Sequence, residues 1–429
     1  SGTSNTAVGY QALTAFTTGG SNVAVGNGAA GAITTGANNV FIGKLAGDLV
    51  TTGTNNVVVG SGALGSADGN ERENIAIGFG AAGGMNNDSA IRNVFIGEYA
   101  GYGGTGALNY SVAIGYRALD STATSGAPSG TVAIGYYAGA GITSGAGNLA
   151  IGYEAMKVHT TGINNIAIGY GAMDDTDQSA ATLGSTAACS YNVAIGNLSM
   201  DAAMNGALYN IGMGYGVLSG LTTGDSNVAL GHGAGISLTT GANNVLIGRA
   251  TGDAHTSLQG TVIIGHFAGS AINNNNSDYS VMIGYNAGIS VTSGTSNHLI
   301  GYYAGRYLST NGYNTMFGHE TGAHMNGSSN TFIGYYAGRG SSSSSPYGNG
   351  GNNVAIGREA LVAISSGSQN IAIGRDALKA TTDGDYNIAL GYQAGDAITT
   401  TSNTVLIGHS AGTAINATGA NGTVAIGYE

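Results

Sequence analysis

A chain of 429 residues with 79 glycines, two prolines and no tryptophan has an unusual composition, yet no Gly-X-Y period runs through it, which excludes a collagen helix. Val, Ile and Ala recur at fixed places, which argues against the disordered reading of a Gly-, Ser- and Asn-rich chain. Only 11 side chains are basic against 22 acidic, and a net charge of −11 lacks the basic footprint of a nucleic-acid binder. The single cysteine, Cys189, rules out a disulfide framework. No apolar run is long enough to span a bilayer, so no membrane insertion is expected from this segment.

From the N-terminus onward the chain repeats one five-residue phrase, of which Asn165-Ile166-Ala167-Ile168-Gly169 is a clean copy. It occurs twenty-four times, and thirteen of the twenty-three intervals are seventeen residues. A fixed period of this kind predicts a solenoid in which each unit touches only its neighbours. Residues 1–429 therefore read as one continuous repeat array. The first and last phrases lie at the very ends, without polar caps, and the chain is expected to be a segment of a longer fibre protein.

In the unit from Asn22 to Asn38, Asn22 to Val25 reads as a short strand broken by Gly26. Asn27 to Ile33 reads as a second extended run, and Thr34 to Asn38 as a turn. A helix is excluded, because each interior glycine would cost about 1 kcal/mol. Two strands and two turns make one coil, and twenty-four coils about 4.8 Å apart would make a rod on the order of 115 Å. Asn opens eighteen phrases and Ser or Thr the rest, at a corner where the amide can bond its copy in the next coil.

Strand side chains alternate with period two. The residue before the repeat glycine (Ile42, Ile114, Met213) and the one two places earlier (Val40, Val112) are large and apolar, and are expected to fill the coil. The position between them should then face outward, yet it holds Phe41, Val58, Phe95, Leu246, Ile263, Met282, Leu299, Met316 and Phe332. An exposed apolar row of that length predicts another copy of the chain packed against it. These nine residues are the expected interchain packing positions.

Alanine recurs three places after the repeat glycine, and the next place alternates between Gly and Leu or Met, as at Gly288 and Met156. That exchange points to volume matching in a narrow core. The longest insertions, around Asp174-Asp175-Thr176-Asp177 and around Ser341 to Pro346, are expected as loops. Tyr commonly follows the repeat glycine, and Tyr116, Tyr136, Tyr153 and Tyr170 fall on four successive units. They are candidate receptor or glycan contacts, against the more ordinary reading of a packing ladder between coils. His232, His266, His319 and His409 take the same place and read as substitutes for Tyr rather than metal ligands. The three aspartates lack the surroundings of a calcium loop. Adjacent threonines, as at Thr34-Thr35, lie in a turn and do not form the alternating rows of an ice-binding face. Nothing predicts a catalytic residue, a cofactor or a metal site.

The phrase Asn353-Val354-Ala355-Ile356-Gly357 resembles the head repeat of YadA-like trimeric autotransporter adhesins, and is similar to repeats in bacteriophage tail fibres. The likeness covers essentially the whole chain, although the seventeen-residue unit is longer than the adhesin repeat. The resemblance implies a left-handed parallel β-roll, an all-β fold assembled as a homotrimer. It also implies an extracellular fibre on a cell or virion that attaches to a surface glycan or protein receptor. The alternatives are a phage fibre or spike that degrades glycans and a non-adhesive extracellular filament.

Overall fold

The computed structural model describes residues 2–86, 90–103, 108–121, 128–176, 188–272, 277–341, 347–415 and 420–428. The chain divides into two compact units, residues 1–225 and 226–429. Each unit is an all-β parallel solenoid with about seventeen residues per coil, and no α-helix occurs among the described residues. Unit 1 carries twelve described strands, from β1 (Thr6–Val8) to β12 (Ile211–Met213), and unit 2 twelve more, from β13 (Val228–Leu230) to β24 (Val424–Ile426). Each strand is three residues long and coincides with the apolar heart of one repeat phrase. Neighbours pair in phase, so Val40 lies beside Val57, Phe41 beside Val58 and Ile42 beside Val59. The same phase holds in unit 2, where Met282 lies beside Leu299. Parallel strands need a long crossover, and here the rest of each coil supplies it.

The strand faces are the reverse of the sequence expectation. Phe41, Val58, Phe95, Leu246, Ile263, Met282, Leu299, Met316 and Phe332 are wholly buried by their own chain. They are core residues and cannot be interchain packing positions. Their flanking neighbours turn outward: Ile42 is 40% exposed, Met213 43% and Phe317 55%. A three-residue strand presents one side chain to one face and two to the other. The narrow interior takes the single one.

The second wall also departs from expectation. Residues 27–33 form a run of tight turns, because Gly28 (φ 67°) and Ala30 (φ 50°) hold left-handed backbone. Leu45 (φ 55°) and Gly47 (φ 53°) repeat the pattern one coil on. The wall still bonds from coil to coil, alternately backward and forward. Gly28 N–H donates to the Tyr10 carbonyl at 2.8 Å, and Ala30 N–H to the Ala46 carbonyl at 3.0 Å.

The predicted volume exchange takes place between these two walls. A large central strand residue faces a glycine four places after the repeat glycine, as in Phe41 with Gly47, Phe95 with Gly101 and Phe332 with Gly338. A Cβ on any of these glycines would overlap the aromatic ring. Where the central residue is small, a large one fills the gap from the other wall: Ala113 with Leu119, Ala167 with Met173, Ala372 with Leu378, all buried. A third buried row, seven places after the repeat glycine, holds Ile33, Val50, Ile142 and Leu238.

The phrase-opening asparagines form the expected ladder, buried rather than at the surface. Asn370 shows the pattern: its Nδ2 donates to Asn353 Oδ1 at 3.1 Å and to the Gly384 carbonyl at 2.8 Å, while its Oδ1 accepts the Asn387 backbone N–H at 3.0 Å. Burial leaves no water to replace a lost partner, so Asn370→Ala strands the Gly384 carbonyl and the Asn387 N–H, while Asn353 Oδ1 keeps the Asn370 backbone N–H. The expected cost is about 2–4 kcal/mol. Asn370→Thr is expected to cost clearly less, because Thr404 naturally donates from Oγ1 to Asn387 Oδ1 at 2.7 Å. Urea unfolding of the full chain would rank the two; equal losses would refute the ladder's energetic role.

Candidate functional site

The surface features of each unit follow from counting along the coil. One place after the repeat glycine, side chains emerge at the corner between strand and turn wall, one per coil. The in-phase strands stack them at the spacing of adjacent strands, about 4.8 Å. In unit 1 this brings Tyr116, Tyr136, Tyr153 and Tyr170 into one column, with ring centroids 5.3, 4.9 and 5.3 Å apart and planes within 15° of parallel. In unit 2 His266, Tyr285, Tyr302, His319 and Tyr335 form a second column at 4.8 to 5.5 Å. His266 and His319 thus occupy tyrosine places in a stack. Tyr137 packs edge-on against Tyr116 and Tyr136, buttressing the first column.

Stacking uses up the ring faces. The column therefore presents a ridge of ring edges and phenol hydroxyls, with Tyr136 41% and Tyr170 53% exposed. Such a ridge can exchange hydrogen bonds with a ligand, but inside the column no ring face is left to cover a sugar.

Beside the corner lies the outer strand face. In unit 1 the first strand position carries Val23, Val40, Val57, Ile75, Val94 and onward, and the third carries Val25, Ile42, Val59, Ile77, Ile96 and onward. All of these are half-buried or exposed. Unit 2 repeats the two rows, from Val228 and Leu230 through Val405 and Ile407, with His298, Thr315 and Thr331 interrupting the first. Monomers seldom expose a contiguous apolar patch beyond ~300–600 Å², and here two adjacent apolar rows run unbroken from Val23 and Val25 to Ile211 and Met213. The sequence reading erred on which residues build this face. That an apolar outer face exists at all was its sound part.

Among the described residues no group of three or more His, Cys, Asp or Glu is placed to hold a metal ion. Asp177 lies outside the described residues. Asp174 is half-buried, and its carboxyl pKa is pushed up to about 6, chiefly by burial, then by Asp201, Asp175 and Glu154, with Lys157 opposing. The fold therefore holds this proton more tightly than the unfolded chain, whose value is 3.8. The resulting stability is complete below the unfolded value and is lost as pH rises through about 6. Asp174→Asn is expected to flatten that part of the pH profile in urea titrations between about pH 4 and pH 7. An unchanged slope would refute this account.

The adjacent threonines spend hydroxyls within the fold: Thr34 Oγ1 donates to the Thr51 carbonyl at 3.1 Å, and Thr239 Oγ1 to the Thr256 carbonyl at 2.8 Å. Sequence reasoning missed a cluster of three rings in unit 1, Phe79, Tyr99 and Tyr102, which pack edge to face at 5.3 and 5.0 Å. They stand at three different places of the repeat, so a search for one recurring position passes over them. With the geometry in view, no protein-family model matches this sequence, and no curated protein matches it.

Proposed function

We propose that this chain is a segment of an extracellular fibre, a left-handed β-roll assembled as a homotrimer, whose work is to project and to attach to a surface. The observation that carries the proposal is the outer strand face. Two apolar rows, mostly Val and Ile, run along unit 1, and their counterparts in unit 2 are broken only at His298, Thr315 and Thr331; all stand half-buried or exposed in a single chain. Identical chains side by side, with their axes aligned, can bury such rows against each other along their whole length. The number three and the left hand come from the resemblance to adhesin head repeats; the exposed rows argue for more than one chain. Attachment follows from repetition. Each coil offers the same corner groups again, and many weak contacts to a glycan or protein receptor add through avidity.

Sedimentation equilibrium is expected to give three times the 42.1 kDa of one chain. Ile42→Lys, Ile77→Lys and Ile96→Lys together place three charges on the exposed rows, at side chains 36–40% exposed in the single chain. They should shift the mass toward monomer while leaving the far-ultraviolet circular dichroism of the fold in place. A wild-type protein that sediments as a monomer at micromolar concentration would sink the proposal.

A further inference from the structure

Two adjacent coils of unit 1 are bare on the turn wall. Two and five places after the repeat glycine, side chains project outward, and the third coil has Leu45 and Asp48 there. The fourth coil has Gly62 and Gly65, the fifth Gly80 and Gly83, and the sixth Tyr99 and Tyr102. The gap is an open groove of ≈ 390 Å³, within the ~300–1,000 Å³ span of small-ligand clefts.

The walls differ in chemistry. On one side Phe79, Tyr99 and Tyr102 pack edge to face, with Phe79 52% and Tyr102 42% exposed. Tyr99 and Tyr102 lean over the fifth coil, where a Cβ on Gly80 or Gly83 would lie 2.8 Å from their ring carbons. The Arg117 guanidinium carbon, 5.5 Å from the Tyr99 ring centre, backs this wall. On the other side stand Lys44, the exposed Leu45 and the half-buried Asp48, with Ser61 and Ser66 beside the floor. Above Gly62 there is open space, since a Cβ there would meet nothing within 4 Å. None of the lining residues lies on a strand, so covering the strand face leaves the cavity's own residues out of that contact.

We infer that this cavity binds one neutral pyranose residue of a polysaccharide, its C–H face against Phe79 and Tyr102 and its hydroxyls on Asp48, Lys44 and the two serines. A pyranose has one apolar face and a rim of hydroxyls, which matches an aromatic wall set opposite a polar one. Lys44 and Asp48 cancel in charge, so an anionic ligand such as a phosphate gains little there. The fourth-coil floor at Gly62, which no side chain covers, lets a flat ring lie close to the backbone. This inference rests on the attachment reading for its biological role, and on the cavity alone for its chemistry.

The test is saturation-transfer NMR on the full-length protein with the methyl β-glycosides of glucose, galactose and N-acetylglucosamine. At least one is expected to receive saturation on its ring C–H protons, with a Kd on the order of 1 mM. Tyr102→Ala should weaken that binding at least tenfold. Asp48→Asn, which preserves shape, should weaken it several-fold, and Tyr313→Ala, an exposed ring of unit 2 outside both the cavity and the corner columns, should leave it unchanged. Thermal melts within a degree or two of wild type would confirm that the variants fold. No transfer to any of the three glycosides, or transfer unaffected by both Tyr102→Ala and Asp48→Asn, would overturn the inference. Retention on polysaccharide-coated beads separates the two claims. Glycoside binding without retention would defeat the attachment reading and leave the cavity standing. Retention unchanged by Tyr102→Ala would defeat the cavity's role and leave attachment standing.

Discussion

Gly60→Ala is expected to unfold the middle of unit 1, whereas Gly62→Ala, two residues along, should cost about 1 kcal/mol or less. Both glycines have positive φ, but of different kinds. Gly62 lies at φ 64°, and the same place of the repeat is held elsewhere by Leu45, Tyr99 and Arg117 at φ 51–55°. A side chain is thus compatible with that backbone, and a Cβ on Gly62 meets open space. Gly60 lies at φ 145°, a region closed to L side chains. Its Cβ would also fall 2.6 Å from the Gly78 carbonyl carbon and overlap the Gly78 oxygen. Gly78 cannot retreat, because its N–H donates to the Val59 carbonyl at 2.8 Å and sets the coil spacing. Backbone strain of about 1–3 kcal/mol adds to a clash with main chain, so a total above ~4 kcal/mol is expected. In an array held by nearest neighbours, the damage should propagate outward from the altered coil. Amide hydrogen exchange of the full chain would show it: residues 57–63 and 75–81 should lose protection in Gly60→Ala and keep it in Gly62→Ala. Equal protection in both variants would refute the argument.

That contrast shows what a single sequence displays and what it hides. The repeat glycine was conspicuous because every coil needs it, and the asparagine ladder was legible for the same reason. The ring column at Tyr116, Tyr136, Tyr153 and Tyr170 followed directly from in-phase stacking. The direction of the strand did not. Val40 and Ile42 are large and constant, and size was taken as the mark of the interior. Variation was the better sign. Phe95 can become Ala113 one coil on only because Gly101 on the facing wall becomes Leu119, and such compensation needs a core. Rows dominated by Val and Ile need no such partner within the coil, because they stand on the outer face of the strand. The turn wall was misjudged because Asn27 to Ile33 carries no mark of left-handed backbone at Ala30. The cavity beside Tyr102 was invisible for another reason: it consists of side chains missing from two successive coils, at places no recurring residue defines.

The compensation itself makes the sharpest test of the core. Phe332→Ala removes a wholly buried ring and should cost about 3–5 kcal/mol. Gly338→Leu alone should also destabilise, by ~1–3 kcal/mol or more, because its Cβ already falls 2.5–2.6 Å from the Phe332 ring carbons. Backbone strain does not add much, since Leu361 and Leu378 occupy the same place at φ 50° and 49°, against 54° at Gly338. Made together, the two changes recreate the arrangement of the next coil, where Ala355 faces Leu361 and both are fully buried. The new leucine fills the space the phenyl ring vacates, and the clash that penalised it is gone. The double variant is therefore expected to be more stable than Phe332→Ala alone, with a coupling of about 2–3 kcal/mol or more between the sites. Urea midpoints of the four full-length proteins measure it. If the two costs simply add, then the facing walls do not share one volume, and the alternation of large and small residues along this chain has another cause.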